Sequence, residues 1–404
     1  MGVSVVTASR SIITGIAIAM GVAGCTSTPA TPAGTALASP PTPAPSVTTR
    51  DSSADQGASM VQVSDKQRAC LTATPGGLRG ALASGWELPI SGHRFWALAV
   101  AGDRVYGNGG TDDGIYVADV ADRSVHRVSS ESGASGVGWM AANDVALTWL
   151  TYDSPSDPTK WSLYAAEPEG GNVRKIAGSP KDQQDGQGKA TQPALAGHHL
   201  AWTQSRPGTA ASDLRVLDLR TGKAVTVATG DISPPVAMGA TFVWPERASS
   251  QAWTFKAIDS TSLRKIALPS GLPTTGDGIG QVAGTPDKLI WGSSDFLTLN
   301  VWDKPSGRVA RYETDPTSEH VFQFMKPTGS LLTWDASWPY SIMNMTTGKY
   351  YDVGKDVGLA AGDGKVAISW MSKHDKQKNG ARGPARLTIL NEGDVPIPSG
   401  NCTA

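Results

Sequence analysis

The sequence predicts an all-β chain folded as a seven-bladed β-propeller, and three observations carry that prediction. First, a short apolar run that ends on a large aromatic recurs seven times: Arg104-Val105-Tyr106, Leu147-Thr148-Trp149, Leu200-Ala201-Trp202, Phe242-Val243-Trp244, Leu289-Ile290-Trp291, Leu332-Thr333-Trp334 and Ile368-Ser369-Trp370. Their aromatics stand 43, 53, 42, 47, 43 and 36 residues apart, a period near that of one four-stranded blade. Second, a tight turn precedes each copy, as at Gly102-Asp103, Asn143-Asp144 and Gly197-His198. Third, helical periodicity is scarce, while the 404 residues include 46 glycines and 27 prolines. That composition suits many short strands joined by turns.

Taken in order, the chain opens on an export signal. Arg10 supplies positive charge, and the apolar stretch from Ile12 to Ala23 is too short to span a bilayer as a helix. It ends in Val22-Ala23-Gly24-Cys25, which resembles the bacterial lipobox. The resemblance implies cleavage before Cys25, diacylglycerol on its thiol and an acyl group such as palmitate on the new amine. Several acyl chains hold a protein on a membrane where one is marginal. Residues 1–24 are therefore expected to be a lipoprotein signal peptide. The mature protein is expected at the cell membrane, facing the extracytoplasmic side.

Residues 25–65 are rich in Ala, Pro, Thr and Ser and poor in large apolar side chains. Such a segment cannot bury enough surface to fold and reads as a disordered tether, with a reach of roughly 35 Å if flexible. Residues 66–404 are assigned to the propeller.

Within each repeat an inner strand comes first, such as Trp96-Ala97-Leu98-Ala99-Val100. The aromatic strand follows, and a variable loop leads to a third strand such as Leu214-Arg215-Val216-Leu217. Hairpins with a late glycine, such as Arg220-Thr221-Gly222-Lys223, then give the outer strand. The outer strands carry charge at His126 and Arg127, Arg174 and Lys175, Arg264 and Lys265, and Arg308 and Arg311. Such charge discourages strand addition at a sheet edge. Trp86-Glu87-Leu88-Pro89-Ile90 resembles an outer strand placed before the first repeat. It is expected to close the last blade, beside or in place of Val395-Pro396-Ile397.

Cys70 and Cys402 bracket the repeats, and no cysteine lies between them. A closed ring brings those points together, and export favours oxidation, so a disulfide is expected. The chain-entropy model gives about 5–6 kcal/mol for so long a loop. No Cys-x-x-Cys spacing suggests a redox or metal pair.

The third strand, glycine hairpin and basic outer strand, clearest at Leu214-Arg215-Val216-Leu217-Asp218-Leu219-Arg220-Thr221-Gly222-Lys223, resemble the repeats of bacterial TolB-like and WD-repeat-like propellers. The resemblance covers about residues 86–400 and implies the propeller fold. The Ser-Pro-Asp-Gly box of TolB repeats is missing; only Pro286-Asp287 and Asp363-Gly364 echo it. The TolB role therefore does not carry over.

The aromatic series has two readings: platforms for flat ligands, or plugs between blades. Its presence in every repeat favours plugs, because a binding site breaks symmetry. The symmetry-breaking residues lie in loops after the aromatics, which gather on one rim: Arg206, Glu246, Arg247, Asp335, Trp338, Tyr340 and His374. Trp338, an aromatic in a short polar loop, is the foremost candidate. No Gly-x-Ser-x-Gly elbow, metal-ligand spacing, calcium loop or phosphate loop occurs, so no metal and no cofactor is expected. The formal net charge of −1 speaks against nucleic acid. The expected function is a monomeric binding or scaffolding module for an envelope protein, peptide or glycan. The alternative is a carbohydrate-active enzyme in which Asp335 faces Glu246 or Asp295 across the channel.

Overall fold

The computed structural model describes residues 60–397, apart from 91–94, 110–113, 130–135, 155–156, 181–190, 249–251, 273–277, 315–320, 336–339, 356 and 372–383. Seven sheets form among these residues, each built around antiparallel strands. Blade 1 comprises Phe95–Ala101, Arg104–Gly109, Gly114–Asp119 and Ser124–Ser129, in that spatial order. The inner strands of blades 2 to 7 are Val137–Ala142, Ala194–Ala196, Val236–Met238, Ile279–Gly284, Lys326–Thr328 and Val357–Gly362. Each inner strand touches the next, and that of blade 7 touches that of blade 1, so the ring is closed.

The apolar interior is divided into seven clusters, one at each junction between neighbouring blades. Tyr106 and Ile115 of blade 1 meet Leu147 and Trp149 of blade 2 in one of them. Val236 and Val243 of blade 4 meet Leu289, Trp291 and Trp302 of blade 5 in another. Strands covered on both faces in this way read as continuous apolar runs. The repeated aromatics are therefore plugs. Tyr106, Trp149, Trp202, Trp244, Trp291 and Trp334 are all buried, and Trp370 is half-buried.

The N-terminal segment organises the perimeter in a way the sequence reading did not anticipate. It contributes strands β1 (Gln62–Arg68) and β2 (Cys70–Leu71), helix α1 (Gly76–Ala83) and strand β3 (Trp86–Glu87). β1 runs parallel to the outer strand of blade 5, Arg308–Glu313. β2 runs parallel to the outer strand of blade 6, Lys349–Gly354. β3 pairs antiparallel with Ala385–Asn391 and supplies the fourth strand of blade 7. The expected closure by the segment beginning at Trp86 is thus present. It replaces Val395-Pro396-Ile397, because the chain after Asn391 turns into a 3-10 helix, Glu392–Asp394.

This belt also places apolar side chains into four successive junctions. Val61 enters the junction of blades 4 and 5, and Ala69 that of blades 5 and 6. Leu78 enters that of blades 6 and 7, and Leu88 that of blades 7 and 1. Two expectations are corrected as a result. β1 begins at Gln62, inside the segment 25–65 assigned to the tether. Arg308 and Arg311 do not protect a free edge, since they pair with Gln62 and Lys66. Their charge is accommodated because the added strand is itself polar and exposed, and Lys66 pairs with Glu313.

On the face of the tight turns, polar contacts tie blade to blade. The Gly102 amide donates to Asp363 Oδ2 at 2.9 Å, and Lys365 Nζ donates to the Gly102 carbonyl at 2.9 Å. The hydrogen bond from Lys365 holds the Asp103 carboxyl below its ordinary value. Ser330 donates from its amide and its hydroxyl to Glu392 Oε1 at 2.6 and 2.7 Å.

Candidate functional site: the channel and its loop face

Inner strands start on the loop face and run towards the tight turns, so the residue just before an inner strand lies at the loop-side mouth of the channel. Phe324 holds that position in blade 6, two residues before the strand Lys326–Thr328. Its φ is +48°, a region that aromatic residues rarely adopt. Its side chain is 46 % exposed. Across the channel, Trp139 of blade 2 meets it with ring centroids 5.6 Å apart and planes inclined at 41°.

Local sequence explains why Trp139 holds its place. Residues 137–139 form an irregular step in the pairing with the next strand. Gly138 lies against the Tyr152 ring, and a Cβ there would fall 2.1 Å from Tyr152 Cε2. Tyr152 can therefore lie across the inner strand and take a hydrogen bond from the Trp139 side chain. Burial pushes the Tyr152 hydroxyl up to about 12, while the bond from Trp139 acts in the opposite direction. The phenol thus stays protonated through the physiological range.

Below the aromatic pair, a cavity of about 510 Å³ is bounded by inner strands of all seven blades and opens among the tight turns. Its walls are largely alanine and glycine, with Trp139 the largest side chain. Polar groups come from Asn143, Asp144, Gln192, Lys326 and Asp363. Lys326 Nζ donates to the Leu359 carbonyl of blade 7 at 2.8 Å.

The rim residues named from the sequence do not form one site. Arg206 is exposed and stands 3.9 Å from Asp213 Oδ1. Arg247 pairs with Asp231 Oδ2 at 3.3 Å and lies over the Trp253 ring at 4.8 Å. Glu246 is half-buried and lines a groove between blades 3 and 4 rather than the channel. Tyr340 belongs to the core: it is 7 % exposed and meets Trp96 edge-on at 5.4 Å. Its strand, Tyr340–Asn344, is buried throughout, so the expectation of a rim position is corrected. Asp335 ends the strand Leu331–Asp335 and pairs with Tyr340, but its side chain lies outside the described residues. Trp338, His374, Cys25 and Cys402 also lie outside them. Cys70 opens β2 and is half-buried.

Asp295 is a turn-capping residue. It accepts from the Ser293 hydroxyl and from the Leu297 amide, the latter at 3.0 Å. Those bonds, the Ser293 hydroxyl first, hold its carboxyl below the usual range. The Trp139–Phe324 pair escaped the sequence reading. A partial signal did exist, because Trp139 is one of three aromatics, with Phe95 and Trp96 of blade 1, in described inner strands otherwise built from smaller residues. Phe324 carried no such signal, since its importance comes from backbone geometry.

Fold and channel together define this protein as a closed seven-bladed propeller with one mouth narrowed by aromatics. No protein-family model matches the sequence, and no curated protein matches it. Among solved structures, similarity extends to an oligogalacturonate lyase in complex with manganese, at 13 % identity over 75 % of this chain and 91 % of that one, with a TM-score of 0.46. A prolyl endopeptidase is similar at 13 % identity and a TM-score of 0.48; the match covers 79 % of this chain and 49 % of that one, so this chain spans about half of the peptidase. TolB from Agrobacterium tumefaciens is similar at 11 % identity over 73 % of this chain and 90 % of that one, with a TM-score of 0.35.

Proposed function

We propose that this protein is a lipid-anchored, extracytoplasmic binding module, and that its loop face, centred on Trp139 and Phe324, receives an envelope protein, peptide or glycan. The observation that carries this reading is Phe324: an aromatic with a left-handed backbone, 46 % exposed at the channel mouth. A backbone conformation of this kind costs about 1–3 kcal/mol and persists where the surroundings impose it, most often at functional sites. An aromatic pair offers a large, rigid contact area at low conformational cost. The glycosidase alternative needs acids that face each other across the channel. Glu246 lines a perimeter groove and Asp295 caps a turn, which speaks for the binding reading.

The test is site-specific photocrosslinking in intact cells. A photoreactive phenylalanine at position 324 is expected to capture a discrete partner, whereas one at Thr221, in an exposed hairpin turn on the opposite face, is not. Identical capture from both positions, or none from 324, would remove the loop face as the binding surface.

The anchor and the staple belong to the same reading. Lipidation at Cys25 would place the protein at the membrane. A bond from Cys70 to Cys402 would join β2 to the C-terminus. Pro396, six residues before Cys402, lies 3.5 Å from a Cβ built on Gly77, seven residues after Cys70. Mass spectrometry of alkylated, unreduced protein from membranes tests both parts. The expected result is an acylated N-terminal peptide beginning at Cys25, with Cys70 and Cys402 unalkylated. An unmodified Cys25 peptide would refute the anchor, and two alkylated thiols would refute the staple.

A further inference from the structure

Blade 4 departs from its neighbours at the perimeter. Its outer strand is only Lys265–Ile266, against Ala224–Gly230 in blade 3 and Arg308–Glu313 in blade 5. The third strand, Trp253–Asp259, pairs along its whole length with Thr241–Arg247 on one side. On the other side it pairs only through Ala257 with Ile266 and Ile258 with Lys265. Beyond Ile266 the chain diverges to the belt, where the Val61 amide donates to the Ser270 carbonyl at 3.1 Å. Among the described residues, the third strand is therefore left with an open stretch of edge.

Register identifies the backbone groups on that edge. The Asp259 amide donates outward, to the Arg264 carbonyl at 2.9 Å. Hydrogen-bonding direction alternates along a strand, so Ala257 and Phe255 point the same way. Ala257 is matched by Ile266. Phe255 has no strand opposite it among the described residues, which leaves its N–H and C=O on the open edge.

A groove of about 860 Å³ runs along this edge, between the outer strand of blade 3 and the diverging segment of blade 4. Val227, Trp244, Phe255 and Leu268 give it apolar walls. The exposed side chains of Lys256 and Lys265 line it as well, with Glu246 half-buried behind them. The surface charge of the groove is thus cationic. Its outer wall is continuous with an established interface, because Gly271 on that wall lies against Met60 and Val61. From there onward, blades 5 and 6 each carry an added strand of the belt and blade 7 is completed by one. Blade 4 is the neighbouring position that the described belt leaves uncovered.

We propose that this groove binds an extended acidic peptide of a partner protein as an added strand of blade 4. The peptide backbone pairs with Phe255 and continues the short ladder at Ala257. Alternate apolar side chains enter the groove, and acidic ones meet Lys256 and Lys265. Main-chain pairing supplies affinity in such strand addition, and the pockets for alternate side chains supply selectivity. This surface is separate from the loop face and does not depend on the reading of Phe324.

The probe is a fluorescent seven-residue peptide that alternates valine and glutamate, blocked at both ends and titrated against the whole protein by anisotropy. Saturable binding is expected. N-methylation of alternate peptide amides, in the phase that faces the edge, is expected to abolish it while leaving every side chain in place. A valine–lysine peptide is expected to bind roughly tenfold more weakly, the scale of two surface ion pairs turned into repulsions. The double variant Lys256→Glu/Lys265→Glu, confined to exposed side chains, should reverse that preference. Amide exchange at Phe255 should slow in the complex. Equal binding of both N-methylated phases, no binding up to millimolar peptide, or protection elsewhere would overturn the proposal. Protection of this edge that rises with protein concentration alone would assign it to a second copy of the chain, and would overturn it too.

Discussion

Trp334→Ala is expected to destabilise the protein by about 3–5 kcal/mol, the usual cost of emptying a buried tryptophan site. Trp334 is 1 % exposed and lies at the junction of blades 5 and 6. Its ring meets Phe322 at 5.4 Å and Tyr350 edge-on at 5.3 Å. The indole N–H finds no partner among the described residues, so truncation removes packing alone. At about 2–4 °C per kcal/mol for a large domain, Tm should fall by roughly 10 °C. Trp334→Phe separates packing volume from hydrogen bonding. It gives up part of the ring but removes a buried donor that has no acceptor, and these effects oppose each other. The net cost should stay below about 1.5 kcal/mol. Equilibrium denaturation of both variants measures this directly. If Trp334→Ala cost less than 1 kcal/mol on that order-of-magnitude scale, the plug assignment of the aromatic tier would fail.

Gly85→Ala is expected to strike the ring closure. A Cβ at position 85 would lie 2.1 Å from Trp370 Cη2 and 2.8 Å from Thr388 Oγ1. Neither contact is physically tolerable, so Trp370 must turn away or β3 must lift from Ala385–Asn391. Overpacking of this kind typically costs about 1–3 kcal/mol. Here it acts on the short strand that completes blade 7, where Trp86 and Glu87 pair with Leu387 and Arg386 and the Leu88 amide donates to the Ala385 carbonyl at 2.8 Å. Amide exchange at Trp86–Leu88 should accelerate, and Tm should fall. Trp370→Phe in the same chain should recover part of the loss, because it shortens the side chain that collides; a double-mutant cycle reads the coupling. An unchanged Tm for Gly85→Ala would show that the seam does not carry the stability assigned to it.

Much of this architecture was legible in the primary structure, and particular elements show why. The aromatic tier repeats because every blade junction poses the same packing problem, so the same residue type recurs at the same step. The closing segment at Trp86 was recognisable because it looks like an outer strand with no hairpin partner in its own neighbourhood. The belt formed by β1 and β2 was not recognisable. Gln62–Arg68 is polar and mostly exposed, and it is held by backbone pairing with a strand more than 240 residues away, as in Gln62 opposite Arg308 and Arg68 opposite Glu313. Backbone pairing leaves little trace in side-chain pattern. The only trace is the series Val61, Ala69, Leu78 and Leu88, one apolar residue for each junction crossed.

The candidate site divides along the same line. Rim residues were chosen from loop position, and Tyr340 shows the limit of that choice: one residue beyond the loop, it begins a buried strand. Glu246 and Asp295 likewise serve a perimeter groove and a turn.

The amino-acid order alone determined the number of blades, their strand sequence and the closure of the ring, because these follow from local periodicity and repeated burial. Only the tertiary structure decided which edges the belt covers and which aromatics meet across the channel. Those outcomes depend on contacts between residues far apart in the chain, and on a backbone angle at Phe324 that its own side chain does not favour.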